Sequence, residues 1–439
     1  MNRSFSLVLP LLFAICPLPA ASEPVVLSAE GAGGPVTTGF VRSASGAFLS
    51  VEARFTVQFG GKAEGLGFVL VNTSTHAHGA TAPAIPRWEE PNIAGAFGVG
   101  FDTSNPPTKD RFNADGNIYG RPEHEVSLHW NGREMANALS PVAYEDGDRH
   151  DVMVRVGYVT AGANVTVTID GQSVYAELFV PDMHPYECRA AFGFSPGDEP
   201  SSCAIDFDGL VLSEPAGAMP SSERFSVFEG AVLNAGQQTR ETTVDLPDAT
   251  RQAERIMLTL TLGAPAGGID PWDRAGHVYV FGDDGQRYEI PRFITPFGRG
   301  CQWKADVTDF QSLLRGKRRM AVSISTWVKG WSVDVALDYY WGTPDREAFR
   351  VTNLWQGDFE YGNPQDPMDA KFPTRTLTLD PRATSAKLRL VVTGHGMHPN
   401  TDNAAEFMPA KRTVTVNGKA FSNLLWRTDN YLNPCRPQG

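Results

Sequence analysis

The stretch HDVMVRVGYVTAGANVTVTIDGQSV, residues 150–174, decides the fold class. Val152, Val154 and Val156 recur at every second position, and Val165, Val167 and Ile169 do the same after Thr160-Ala161-Gly162. A period of two places one set of side chains on one face of a strand, and β-branched residues suit a pleated, half-buried surface. Two such runs around a short glycine-containing turn predict an antiparallel hairpin.

The same signal recurs on both sides of the hairpin. SVEARFTVQF (50–59), GLGFVLV (65–71), AFGVGFDT (96–103), EVSLHWNG (125–132), AAFGFSPG (190–197) and CAIDFDGLVL (203–212) all read as strands. No convincing amphipathic helix interrupts them. Many short, evenly spaced strands predict an antiparallel sandwich over residues 23–215.

SEPAGAMPSSE (213–223) is rich in Pro, Ser and Gly and reads as a linker. A second β-rich block, 216–345, includes RIMLTLTLG (255–263), HVYVFG (277–282), RYEIPRFI (287–294), MAVSIST (320–326) and WSVDVALDYYWG (331–342). Within it, DVTDFQSLL (306–314) reads as a short helical turn capped by Asp306 or Thr308. A third block, 346–439, carries strand signals at RTLTLD (375–380), AKLRLVVTG (386–394) and RTVTVNG (412–418).

The 439 residues carry a net charge of −12. That balance gives no electrostatic drive toward nucleic acid or an anionic membrane, since phosphate binding needs clustered Lys and Arg. The opening MNRSFSLVLPLLFAICPLPAASEP, with one Arg, an apolar run from Leu7 to Leu18 and small residues after it, reads as a secretory signal over 1–22. The run is too short to span a bilayer. The mature chain is therefore expected to be secreted or periplasmic, and monomeric.

Four cysteines follow the signal: Cys188, Cys203, Cys301 and Cys435. An even number in an exported chain favours disulfides. Cys188 and Cys203 are close in sequence and are expected to pair. Cys301 with Cys435 is the remaining pair, with free buried thiols as its alternative. The nine histidines are scattered, so a copper site built on a His cluster is not expected. There is no phosphate-binding glycine loop and no Gly-x-Ser-x-Gly elbow.

GIDPWDRAGHVYV (268–280) places an aromatic ring, a carboxylate and a guanidinium side by side at Trp272-Asp273-Arg274. Read alone, it is a structural Asp–Arg pair at a strand start. RYEIPRFITPFGRG (287–300), DVTDFQSLLRG (306–316), STWVKGW (325–331) and YYWGTP (339–344) follow in order, then VTGHG (392–396), NAAEF (403–407), RTVTVNG and NPCRPQG (433–439). Together these stretches resemble the peptide-N-glycosidase F family over nearly all of 224–439.

That resemblance implies an all-β chain with two jelly rolls, 216–345 and an incomplete 346–439. It implies an exported amidase that hydrolyses the bond between the innermost GlcNAc and the Asn side chain of N-glycoproteins or N-glycopeptides, with no cofactor. Hydrolysing an amide requires activating a water and stabilising a poor leaving group, which suits carboxylates and positioned donors. Asp273 matches the family's catalytic Asp, and Glu406 the second acid that positions sugar and water. Arg274 is expected to hold Asp273 ionised or orient substrate. Trp272, Trp327 and His395 are expected at the cleft. Ser325 stands where the family carries an acid, and a hydroxyl hydrogen-bonds without supplying charge. This departure motivates an alternative, a glycan-binding protein without catalysis.

GLGFVLV, the loop ending WEEPNIAGAFGVGFDT (88–103), HWNG (129–132) and the hairpin at 150–174 resemble concanavalin-like, L-type lectin sandwiches. Asp102 matches the Phe-Asp position that supplies metal ligands in that family. Gly100 stands where its metal-binding members carry an acid, so no intact metal site is expected.

Overall fold

The computed structural model describes residues 24–31, 34–39, 45–76, 83–104, 122–357, 363, 365–393 and 410–425. The chain is all-β apart from short helical turns and divides into two compact units, with the division between Met219 and Pro220. The signal segment 1–22, Glu406, His395 and Cys435 lie outside the described residues.

In the first unit, the strands are β1 (Val25–Glu30), β2 (Val36–Gly39), β3 (Ser50–Gly61), β4 (Gly65–Asn72), β5 (Phe97–Ser104), β6 (Pro122–Trp130), β7 (Arg133–Leu139), β8 (His150–Val159), β9 (Gly162–Ile169), β10 (Gln172–Pro181), β11 (Cys188–Ser195) and β12 (Pro200–Leu212). They form two six-stranded sheets, β1-β12-β3-β8-β9-β10 and β2-β11-β4-β5-β6-β7. All the pairings are antiparallel. The hairpin read from residues 150–174 is β8 and β9, with Val154 opposite Val167 and Val156 opposite Val165. Their alternate side chains join one core with Phe55, Phe68 and Phe192, whose rings pack 4.9–5.2 Å apart.

The glycines of GLGFVLV, GVGF and AFGF have a packing reason. Loop residues 85–96 lie over the outer face of the second sheet, so Trp88 is fully buried there with Val69, Val71 and Ala191. A Cβ at Gly193 would sit 1.8 Å from the Trp88 ring, and one at Gly67 2.2 Å from the Trp88 carbonyl. The glycines therefore admit a ring and a backbone where any side chain would collide. This covered outer face also explains why β4 is buried along nearly its whole length rather than on alternate residues.

The expected Cys188–Cys203 disulfide is not formed. Cys188 lies on β11 of one sheet and Cys203 on β12 of the other, both in the core. Packed sheets stand about 10 Å apart, whereas a disulfide needs Cα atoms within about 4.4–6.8 Å. Proximity in sequence did not survive the crossover between sheets. Burial pushes the Cys203 thiol up to about 12, so it stays protonated at neutral pH. The second expected pair, Cys301 with Cys435, involves a residue outside the described part.

The second unit opens with eight strands: β13 (Ser222–Asn234), β14 (Thr239–Asp245), β15 (Ala253–Gly263), β16 (Ala275–Phe281), β17 (Arg287–Ile294), β18 (Cys301–Asp306), β19 (Lys317–Ile324) and β20 (Gly330–Trp341). They form two four-stranded sheets, β13-β20-β15-β18 and β14-β19-β16-β17. Numbered one to eight, the orders are 1-8-3-6 and 2-7-4-5, the order of a double-sheet jelly roll. Trp331, Val333, Val335, Leu337 and Tyr339 alternate inward along β20 and fill the core with Leu258, Leu260, Val278 and Val322. The expected helical turn is a 3₁₀ turn at Thr308–Phe310, and Asp306 Oδ1 accepts the Thr308 amide at 2.9 Å.

The connections β13–β14 and β15–β16 pass from the first sheet to the second, β17–β18 and β19–β20 pass back, and the antiparallel strand directions place all four at one end. Hydrogen bonds between these connections confirm the grouping: Thr295 N–H to Arg274 O at 2.9 Å, Gly298 N–H to Asp270 O at 3.2 Å, Asp270 N–H to Gly330 O at 3.0 Å, and Gln238 Nε2 to Thr326 O at 2.6 Å.

Beyond β20, the described residues hold a helical turn α1 (Met368–Lys371) and a hairpin, β21 (Ala410–Val416) with β22 (Lys419–Leu425). Asn417 and Gly418 turn the hairpin with φ of 49° and 82°, the two positive values of a type I′ turn. RTVTVNG is thus strand and turn as expected. RTLTLD and the described part of AKLRLVVTG are not strands. Leu377, Leu379, Leu388 and Leu390 alternate as a strand face would, but they are exposed. Alternation selects a face, whereas a strand also needs a hydrogen-bonded neighbour, and among the described residues none pairs with these segments.

Candidate active site

The end of the jelly roll where the connections gather is organised by a buried acid. Asp270 begins the Asp-Pro-Trp-Asp-Arg run and is fully buried. Its backbone is clamped on both sides, by the carbonyl of Gly330 and the amide of Gly298. Its Oδ1 accepts the Trp272 amide at 2.9 Å and Arg274 Nη2 at 3.4 Å. Its Oδ2 accepts Arg274 Nε at 2.8 Å and the Thr326 hydroxyl at 2.5 Å. Burial alone would raise its pKa, but the hydrogen bonds from Arg274, Thr326 and Trp272 and the Arg274 charge outweigh it and hold the carboxyl below its ordinary value.

Arg274 is buried as well. Thr295 pins its backbone at both ends: the Thr295 hydroxyl accepts the Arg274 amide at 2.8 Å, and the Thr295 amide donates to the Arg274 carbonyl at 2.9 Å. The guanidinium is turned to Asp270, and its carbon lies 3.6 Å from the centre of the Trp327 ring. A planar cation stacked on an indole is a favourable contact that an ammonium cannot reproduce.

Two large aromatic rings stand out from this buried pair. Trp327 is 62% exposed and Trp272 54% exposed. Trp272 meets Phe297 edge to face at 6.3 Å. Asp273 lies between the exposed Trp272 and the buried Arg274 and is itself half-buried. Ser325 is exposed at the start of the β19–β20 connection, where its amide donates to Ala275 O at 3.1 Å. Trp272, Asp273, Arg274, Ser325 and Trp327 therefore share one end of one sandwich. A half-buried carboxylate can take a proton from a water, and exposed indole faces can hold a ring-shaped substrate. Glu406 and His395 are not among the described residues.

Asp270, Thr295, Phe297 and Thr326 were not singled out from sequence. The signal for Asp270 was present: an Asp before Pro favours a turn in which the carboxylate accepts an amide two residues on. Thr326 carried no comparable signal.

In the first unit, Asp102 is buried on β5, opposite Glu125 on β6. Among the described residues, no group of three or more His, Cys, Asp or Glu is placed to hold a metal ion.

Residues 364–433 match the family described as Peptide-N-glycosidase F, C terminal. Over 255 residues, 54% of this chain and 72% of the relative, the sequence is 28% identical to peptide-N(4)-(N-acetyl-beta-D-glucosaminyl)asparagine amidase F of Elizabethkingia miricola. By sequence, this chain is peptide-N-glycosidase F-like. Among solved structures it is similar to PNGase F from Flavobacterium meningosepticum, at 33% identity and a TM-score of 0.27. That match covers 28% of this chain and 43% of the other. It is also similar to the VIP36 exoplasmic/lumenal domain, at 12% identity and a TM-score of 0.30, over 46% of this chain and 85% of that one. No helix among the described residues is long and apolar enough to cross a membrane.

Proposed function

We propose that this chain is an exported amidase that hydrolyses the GlcNAc–Asn linkage of N-glycoproteins or N-glycopeptides. The observation that carries the proposal is the loop cluster at one end of the eight-stranded sandwich. There half-buried Asp273 lies in the chain between exposed Trp272 and buried Arg274, and Arg274 pairs with Asp270 and stacks on exposed Trp327. In this reading Asp273 activates the attacking water. Trp272 and Trp327 pack on the sugar, and Ser325 hydrogen-bonds it. Glu406 belongs to the same site by the family resemblance, and His395, in a Gly-His-Gly turn, is a hydrogen-bonding residue near it. Residues 216–345 are the first jelly roll and 346–439 an incomplete second one. The sandwich over 23–215 holds glycan near the site and raises its effective concentration. No cofactor takes part, and the partner is the glycoprotein substrate alone.

The test is incubation with a denatured N-glycoprotein, followed by mass spectrometry of both products. Released glycan together with Asp at the former glycosylated Asn is the expected result. Intact glycopeptide, or glycan released with a sugar left on Asn, would count against it.

A second reading, a glycan-binding protein without catalysis, is favoured by Ser325. It stands exposed next to the site where the family carries an acid, and it supplies no charge. Saturable glycopeptide binding without any Asn-to-Asp conversion would select it.

A further inference from the structure

Trp327 is a large ring, 62% exposed, on a connection of only five residues between β19 and β20. An exposed indole on a short loop would ordinarily sample several rotamers. Here it is held from two directions, and both lead to Asp270. Thr326, the residue before it, donates its hydroxyl to Asp270 Oδ2, and its carbonyl accepts Gln238 Nε2 at 2.6 Å. Arg274, against one ring face, is held by the same carboxylate through Nε and Nη2. The ring remains largely exposed outside this contact. A fourth bond, donated by the Trp272 amide to Asp270 Oδ1, fixes the backbone of the second exposed indole.

We propose that Asp270 is a positioning residue that fixes Trp327, through Arg274 and Thr326, as a platform for the apolar face of the Asn-linked sugar ring. The inference rests on the reading of this loop cluster as a glycosylasparagine site. Three chemical features support it. The carboxylate is ionised and buried, so its bonds are charge-assisted and directional. The stacked guanidinium holds the indole by one contact, and the exposed remainder of the ring is open to ligand. A ring fixed before binding spares the entropy of ordering it on contact.

The platform touches the sugar alike before and during the reaction. Its loss therefore weakens binding rather than the chemical step. The experiment compares the wild type with Asp270→Asn and Thr326→Val, using a short synthetic peptide carrying Asn-linked GlcNAc. Calorimetry gives Kd, glycan release gives KM and kcat, and iodide quenching gives the exposure of Trp327 against Trp327→Phe. The expected result is a rise of about tenfold in Kd and KM, with kcat within about threefold of wild type, and a change in Trp327 quenching. Thr326→Val keeps the shape but loses the hydroxyl that donates to Asp270, so it is expected to act in the same direction if Asp270→Asn does not fold. Unchanged Kd and quenching in a folded variant would overturn the inference, as would a fall in kcat at constant KM. A wild type that neither binds nor cleaves the glycopeptide would defeat the functional reading instead. The quenching comparison would still decide whether Asp270 positions Trp327.

Discussion

Arg274 and Trp327 form a stacked pair: the guanidinium carbon lies 3.6 Å from the indole centre, with the arginine buried and the tryptophan largely exposed. The exposed member is expected to matter for ligand and little for the fold. A cation–π contact of this kind contributes about 0.5–1 kcal/mol at exposed sites. Trp327→Ala is therefore expected to shift the urea unfolding free energy by no more than about 1 kcal/mol, while glycopeptide affinity drops severalfold. A large loss of stability would place Trp327 in the core instead.

The buried member and its partner should behave in the opposite way. Asp270→Asn leaves the Arg274 cation buried without its counter-charge. Breaking one side of a buried pair costs about 3–5 kcal/mol. Denaturant unfolding of the purified variant measures this directly, and a cost below about 1 kcal/mol would show that solvent reaches Arg274.

Much of the fold was legible in the sequence, and the reasons differ by region. Hairpin β8–β9 was readable because period two and a local turn are both local properties. The jelly-roll order was not derivable from alternation, because it depends on which distant strands pair. It became an expectation through the ordered motifs of the second block. The strands expected at 375–380 and 386–394 were misread for a related reason. Leu377, Leu379, Leu388 and Leu390 alternate correctly, yet pairing is a property of a neighbour. At the candidate site, Trp272, Asp273 and Trp327 were named by motif, and the structure places them at one end of the jelly roll. Asp270 and Thr326 were missed because their role arises only where three connections meet.

Gly193 illustrates a close approach that only a glycine permits. A Cβ there would fall 1.8 Å from the Trp88 ring. Gly193→Ala is expected to destabilise the first unit by about 1–3 kcal/mol or more through overpacking. Thermal denaturation followed by tryptophan fluorescence reports it. A neutral effect would mean that loop 85–96 lifts freely from the sheet.

His150 gives the first unit a dependence on pH. It is bonded by Asp170 at 2.8 Å and Asp146 at 2.9 Å. Burial opposes its charge, but the hydrogen bonds and charges of the two carboxylates outweigh burial and raise its pKa above 6.5. A raised histidine pKa means that the stabilisation is fully present below about pH 6.5 and is lost as pH rises through the folded value. The carboxyl pKa of Asp170 is lowered, with burial outweighed by bonds from His150 and the Asp151 amide, and that of Asp146 is lowered chiefly by its bond to His150. Their share is present above about pH 4 and is lost as pH falls through their folded values. The clamp is thus strongest between these limits. Urea midpoints of wild type and His150→Gln should differ most near pH 5 and converge by about pH 9. A difference that grows toward alkaline pH would refute the assignment.

The most direct measurement of the central claim is glycan release by Asp273→Asn beside wild type, on the same denatured N-glycoprotein, with folding checked by circular dichroism. Asn keeps the shape of the side chain and removes its capacity to take a proton. Loss of a general base lowers rate on the order of 10²–10⁴-fold. Wild type is expected to convert glycosylated Asn to Asp, and the folded variant to lose that conversion by about this factor while still binding glycopeptide. A folded Asp273→Asn protein that converts Asn to Asp at the wild-type rate would contradict it.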